Sequence, residues 1–581
     1  MLFLKCKRLR MIKIVKIHRE MGERKKMAKW KKTLFSSLLF SLPFVLAACG
    51  GGEESTVNAD GNTVITIGRQ TAPNPKLPEG DSYSNNAYTR LIKEELNIEL
   101  TSAFEAGGDD YSRQVSLAIA SGELPDTMLV GSRDELEELV ENDLIADLSE
   151  VFEEHGSQEL KDVYASFDNL QLEAATFDGQ LMGLPSTSDD FGPNMIWMRK
   201  DWLDALNIEL DKDGNNAITL DELKSTAKAF QENDLDKTGK AVGTALSFWL
   251  SSAGHGGSAY TGTAIMNAFG AYPKMYLEDA DGKMYYGSNT EAMKESLSYL
   301  KEWYDEGLLD PQFGTRTYDD IHAMMLNGEF GIIPGPWHMP DWGLIQAKQS
   351  NPKADFVPYA LENANGDGKV NAVSTRGTGQ FIVVRKDFKD IDKVMDMINL
   401  IYADVMNSDD MEKEYPEIYE YSKLDVDGTV KPYNVVFLNA YSEITDAVEA
   451  SKAATGEIPM DEISSFFIKD NAQKIKSYMD DPAQADPVNW TRYASRYLAV
   501  DQVMGNVREA EILHEEFPPR FNRIEANERN GAQVGKLEEE TFIKFVTGEE
   551  SLDKFDDYVA TWNKQGGDAI LAEMQENVDK K

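Results

Sequence analysis

The stretch from residue 62 to 130 constrains the fold most, because its apolar period switches between two and 3.6. "NTVITIGRQ", Asn62 to Gln70, alternates β-branched and polar residues and predicts a first strand. "NAYTRLIKEELNIELTSAF" follows as a helix and a second strand. "YSRQVSLAIASGELPDTMLV" repeats that order: a helix to Ser121, a Gly/Pro break and a buried strand over residues 127–130. Strands and helices alternating at this spacing predict βαβ units and a mainly parallel sheet, an α/β fold. At 581 residues the chain is too long for one small core, so two or more lobes are expected. Met293, Leu297, Leu300 and Tyr304 share one helical face, as do Phe555, Val559 and Trp562. Trp303 and Trp562, on these amphipathic helices, are expected in the core. No repeat, long low-complexity run or second membrane span is evident.

Charge excludes one class of partner. The formal net charge is −41, yet the first 48 residues hold thirteen of the 59 Lys and Arg and two of the 100 Asp and Glu. No basic surface remains beyond them to hold nucleic acid.

That basic start reads as a signal peptide over 1–48. "MAKWKK" is the cationic part and "TLFSSLLFSLPFVLAA" the apolar part, too short for a comfortable permanent span. Met21 or Met27 as the true start gives the more usual length. The apolar run ends in "LAAC", Leu46 to Cys49, which resembles a bacterial lipobox; Cys49 would be acylated after cleavage. Only Cys6 and Cys49 exist, so the mature chain would have no disulfide. Residues 49–61, small and polar, then form a flexible tether. An extracytoplasmic lipoprotein on the cell membrane follows.

"DKDGNNAITLDE", residues 211–222, has EF-hand spacing. Asp211, Asp213 and Asn215 stand at positions one, three and five, Ala217 offers a backbone carbonyl at seven, and Thr219 and Glu222 stand at nine and twelve. Position six is Asn216, the non-glycine residue most tolerant of the left-handed conformation needed there. Thr219 and Glu222 also read as a capping box, which needs no metal. "DLDKTGKAVGTA" from Asp234, "DADG" from Asp279 and "DVDG" from Asp425 lack the terminal glutamate; the last two read as hairpin turns. A single loop with every position spent on the ion predicts a structural Ca²⁺ rather than a sensor or a catalytic metal.

"ASGELPD" (120–126), "ENDLIADLSE" (141–150), "FDGQLMGLP" (177–185) and "RKDWLDALNI" (199–208) follow one another in the first part of the chain. "WYDEGLLDPQF" (303–313), "LNGEFGIIPGPW" (326–337) and "FIVVRKD" (381–387) follow later, and "TFIKFVTGEESLDKFDDYVATWNKQGGDAI" near the end. In order and spacing, over nearly all of residues 62–575, they resemble the family 1 extracellular solute-binding proteins, sugar-binding lipoproteins of ABC importers in Gram-positive bacteria. The resemblance implies a two-lobed periplasmic-binding-protein-like fold with hinge crossovers and an interlobe cleft that closes on ligand. The first lobe would take 62–182 plus about 377–485. The second would take 183–376 plus about 486–581 and carry the 211–222 loop. The partners implied are an oligosaccharide, the permease pair and its ATPase, with the chain acting as a monomer.

Oligosaccharide sites set flat aromatic faces beside polar groups that take hydroxyls. By the family resemblance Trp337, after a Gly-Pro turn, lies near the cleft; packing under a loop is the alternative. Trp249 and His255 sit in the Gly/Ser-rich "SFWLSSAGHGGSAY". Arg376 precedes the strand that returns to the first lobe and suits a hydroxyl or carboxylate, or else a surface ion pair. Arg69, Gln70, Asp110 and Tyr111 are the first-lobe candidates. No H-E-x-x-H, Walker A or G-x-S-x-G motif appears, so a binding protein rather than an enzyme is expected. A glycosidase has no fixed sequence signature and stays open, as does an adhesion or scaffold lipoprotein.

Overall fold

The alternating residues 62–70 form the strand Thr63–Gln70, with Ile65 and Ile67 buried on one face. The computed structural model describes residues 57–579 apart from 188–191, 213, 254–257, 375–378, 409, 425, 464 and 520–523. The leader and Cys49 lie outside the described residues. After the first strand, Asn86 caps the helix Ala87–Leu96, accepting from the backbone N–H groups of Tyr88 and Thr89. Asn97, at φ 54°, turns the chain into the parallel strand Ile98–Ala106. Helix Asp109–Ser121 ends at Gly122, whose φ of 70° disfavours any side chain there. The third strand, Thr127–Val130, is buried along its whole length.

These strands build a five-stranded sheet in the order Ile98–Ala106, Thr63–Gln70, Thr127–Val130, Phe381–Val384, Leu184–Pro185. The first three run parallel, and Phe381–Val384 is antiparallel to both its neighbours. Asp126, from "GELPD", locks them together. One carboxylate oxygen accepts from Thr66 N at 2.8 Å and Oγ1 at 2.7 Å, the other from Arg385 at 2.7 Å.

A second sheet has the order Ile332–Gly335, Met195–Arg199, Phe356–Leu361, Ala217–Ile218. Its strand "MIWMR" is buried throughout, and Arg199 is tolerated there because Asp201 and Asp236 pair with it at 2.6 and 3.1 Å. Trp303 and Trp562 are buried in this lobe's core. Among the described residues no helix is long and apolar enough to cross a membrane.

Core membership defines the lobes. One cluster draws on residues from Ile65 to Leu184 and from Phe381 to Phe437. The clusters around the second sheet draw on residues from Met195 to Val370 and then from Ile444 onward. Ile444, Ala447 and Tyr478, allotted to the first lobe in the sequence reading, pack in this second core. Core membership therefore changes three times along the chain, between Leu184 and Met195, between Val370 and Phe381, and between Phe437 and Ile444. Glu515 reaches all three. Its Oε1 accepts from Gly192 N at 3.2 Å and Ser374 Oγ at 2.7 Å. Its Oε2 accepts from Arg508 at 2.7 Å, and that guanidinium lies 4.1 Å from the ring centroid of Tyr441. On the first-lobe side, Thr187 exchanges hydrogen bonds with Leu438, and Ser186 N donates to Gln380 O.

Glu538, in helix Glu525–Thr547, is fully buried and accepts from the Tyr286 hydroxyl at 2.7 Å. Burial pushes its carboxyl up to about 7, against the opposing pull of Tyr286 and Lys274. An unfolded glutamate titrates near ~4.3, so between these values the folded state holds the extra proton. Its contribution is complete below the unfolded value and lost as pH rises through the folded one. Glu538→Gln should therefore gain about 2 kcal/mol on the wild type between pH 5 and pH 8. Urea unfolding at the two pH values measures this; parallel curves for the two proteins would refute it.

Candidate functional site

The second lobe gathers exposed aromatics around one cavity. Backbone bonds from Ser247 N to Tyr260 O and from Phe248 N to Arg316 O pin the segment that carries Trp249. Trp249 is 45% exposed despite resting on Phe248, with ring centroids 4.0 Å apart. Tyr318 opens a helix capped by Thr317 and stacks on His322 at 5.6 Å and 13°. Trp342 lies on the wide turn Pro340–Leu344 and is 36% exposed. Its Nε1 donates to His338 Nδ1 at 2.9 Å, which fixes the indole. Burial lowers the pKa of His338, with Asp341 opposing and Arg496 adding to the shift, so its ring accepts as a neutral base.

Trp249, Trp342 and Tyr318 line a cavity of about 410 Å³ together with Ser247, Ser252, Thr261 and Lys274. Indole faces left open to water are costly unless something apolar covers them. Hydroxyls beside them supply hydrogen bonds in several directions. This mixture suits a ring with a C–H face and a hydroxyl rim.

Trp337 is not among the residues that line this cavity and is half-buried. The Arg496 guanidinium lies 4.8 Å from its ring centroid, and His338 meets it edge-on at 5.1 Å. Arg496 and Arg492 both pair with Asp341, Arg492 at 2.7 Å. Trp337 thus connects through His338 to Trp342. His255 and Arg376 lie outside the described residues. Sequence reading missed Trp342, although "WHMPDW" carries it five residues after Trp337, and Tyr318, which had no signal beyond its capped helix.

The first-lobe candidates do not share this cavity. Asp110 is exposed at a helix N-terminus and pairs with Arg113. Tyr111 is 5% exposed; its hydroxyl donates to Leu129 O at 2.9 Å and accepts from Leu129 N at 3.3 Å, which commits it to bracing the sheet. Arg69 is buried beneath tyrosines, and Gln70 follows it at the strand end.

In the 211–222 loop, Asp211 Oδ1 accepts from the backbone N–H groups of Asn215 and Asn216 at 2.9 and 3.0 Å. Asn216 has φ 61°, the left-handed bend expected at position six. Asn215 Oδ1 accepts from Ala217 N, and Ala217–Ile218 pairs with Ala360–Leu361. Thr219 and Glu222 form the capping box of helix Leu220–Asn233. Asp213 lies outside the described residues, and among those described no cluster of three or more His, Cys, Asp or Glu side chains suits a metal. The Asp234 loop folds alike, its carboxylate accepting from Thr238 N and Gly239 N, so the closed turn alone does not imply an ion. The "DADG" segment is a hairpin turn between Tyr276–Glu278 and Met284–Tyr286, while Asp427 caps a short turn at Gly428–Val430.

Comparisons with known proteins agree with this architecture. The polygalacturonan/rhamnogalacturonan-binding protein YtcQ of Bacillus subtilis is 24% identical over 565 residues, 94% of this chain and 98% of that one. Lipoprotein LipO of the same organism is 21% identical over 552 residues, 91% and 95% of the two chains. Among solved structures, an EF-hand mutant of the S. pneumoniae ABC-transporter substrate binding protein FusA, in complex with fructo-nystose, matches with a TM-score of 0.54. It has 15% identity, over 89% of this chain and 99% of that one. A sequence model of bacterial extracellular solute-binding proteins matches residues 87–404, and with the two-lobed fold around it the chain belongs to that family.

Proposed function

We propose that this chain captures an oligosaccharide between its lobes and delivers it, chemically unchanged, to the permease and ATPase of an ABC importer. The observation that carries the reading is the second-lobe cavity, where Trp249 and Trp342 present open indole faces beside hydroxyl side chains. The relatives' names support it, since YtcQ is named for binding a polysaccharide and FusA is a substrate-binding protein with a sugar in its complex. Three crossings leave the lobes free to close on ligand about one axis. The chain acts as a monomer held to the outer face of the cell membrane through a lipid on Cys49. Support comes from the "LAAC" sequence and from the lipoprotein name of LipO.

Ca²⁺ in the 211–222 loop is part of this proposal. The turn is closed by Asp211, Asn216 bends as a position-six residue must, and Glu222 stands at the last position. The donors are all oxygens, which suits a hard cation. Asp211, Asp213, Asn215, the Ala217 carbonyl, Thr219 and Glu222 would hold it, fixing the start of helix Leu220–Asn233. The EF-hand named in the FusA relative supports the same assignment.

Two experiments test these readings. Trp249→Ala and Trp342→Ala should each weaken oligosaccharide binding at least tenfold in calorimetry, a loss of about 1.4 kcal/mol. Product chromatography on the same mixtures should show intact sugar; turnover would point to a glycosidase instead. For the ion, EDTA should lower the melting temperature of the wild type by several degrees. Glu222→Gln keeps the capping box and should remove that sensitivity. An unchanged response in the variant would leave the loop as a helix cap alone.

A further inference from the structure

Arg69 is the penultimate residue of the strand Thr63–Gln70 and is 1% exposed. None of its three side-chain nitrogens has a hydrogen-bond partner among the described residues. The ionisable groups that face it are Glu105 on the neighbouring strand and Tyr402, Tyr433 and Tyr83. Each is engaged elsewhere. Glu105 accepts from Ser102 Oγ at 2.8 Å, and Tyr402 donates to Tyr433 O at 2.6 Å. The Tyr433 hydroxyl meets Thr127 Oγ1 at 2.8 Å, and the Tyr83 hydroxyl accepts from Ala72 N at 2.7 Å.

A second cation lies on the same cluster. Lys431 Nζ is 5.8 Å from the Tyr402 ring centroid and 4.0 Å from Met406 Sδ. Burial is the influence on its ammonium, which it destabilises, and no carboxylate counters it. In a chain with 100 acidic residues against 59 basic ones, a buried guanidinium and a half-buried ammonium beside one tyrosine are not a consequence of composition. Guanidinium keeps its proton even when buried, so the charge must be answered by an anion rather than by deprotonation.

The place is suited to a ligand. Thr63–Gln70 lies between Ile98–Ala106 and Thr127–Val130; the chain leaving it goes to Ile98–Ala106 on one side, whereas the chain leaving Thr127–Val130 goes to Leu184–Pro185 at the far edge on the other. Parallel sheets open a crevice outside the carboxyl ends of the strands at such a switch point. Arg69 and Gln70 stand at that end.

We propose that Arg69 receives an oxyanion of carboxylate type, borne by an acidic sugar or free in solution. Two parallel N–H groups of the guanidinium match the two oxygens of a carboxylate. For the sugar source this rests on the oligosaccharide reading above and makes the captured glycan a uronate-containing one.

The test uses the purified protein and its Arg69→Met variant with three probes at matched ionic strength: trigalacturonate, neutral galactotriose and inorganic phosphate. Calorimetry should show trigalacturonate binding at least tenfold more tightly than galactotriose, and the variant should lose at least tenfold more affinity for the acidic sugar than for the neutral one. Phosphate raising the melting temperature of the wild type but not of the variant, with no preference for the acidic sugar, would identify a free oxyanion as the occupant. The unliganded variant should melt no lower than the wild type, because removing an unanswered buried charge relieves the fold. A fall of several degrees would make Arg69 a packing element and overturn the proposal, as would anions acting equally on both proteins or on neither. Neutral sugar binding without any anion effect would sink this inference and leave the oligosaccharide reading standing. An Arg69-dependent phosphate effect with no sugar bound would do the reverse.

Discussion

Glu515 is the interaction on which the arrangement of the lobes depends. A single carboxylate, 9% exposed, bonds two of the interlobe passages directly and steadies the third through Arg508 and Tyr441. Charge-assisted bonds of this kind are short and strong where water is scarce. They anchor Gly192, Ser374 and Tyr441 to the second lobe, while Thr187, Leu438 and Gln380 are tied to one another on the first-lobe side. Under the proposed function, a ligand that touches both lobes would shift the population toward a closed form.

The two lobes offer different chemistry to whatever enters. The second lobe presents indoles held in place beforehand: Trp342 by its bond to His338 and Trp249 by Phe248. Side chains fixed before binding lose little conformational entropy when the ligand arrives. The first lobe, on the inference above, would offer charge instead, through Arg69. Aromatic contact favours any sugar ring of the right face, whereas a buried cation discriminates between sugars. Under the two proposals above, affinity and selectivity would fall to opposite halves of the molecule.

Local pattern made much of this legible in the sequence. The alternation over 62–70, the run at 127–130 and the helical faces with Trp303 and Trp562 follow from periodicities that a half-buried strand or helix must show. Asp211, Asn216, Thr219 and Glu222 were readable because turn and cap chemistry is written within a few residues. What sequence could not supply were long-range relations. Tyr111 looked like a cleft residue, but its hydroxyl finds Leu129 only once two strands and a helix have packed. Trp342 differs from Trp337 in nothing but exposure, which depends on where Arg496 lands more than a hundred and fifty positions later. The packing of Ile444 through Tyr478 against the second sheet is likewise invisible in their helical periodicity.

The position of Phe381–Val384 inside the first sheet has a temporal consequence. This strand separates Thr127–Val130 from Leu184–Pro185, so the sheet stays open until some two hundred later residues have been delivered. A chain emerging from its N-terminus exposes an unpaired strand edge for that whole interval, the condition in which β structure aggregates most readily. The first half cannot close before Phe437 has been delivered, and the second must wait for residues from Ile444 onward, so both are completed late in the life of the nascent polypeptide.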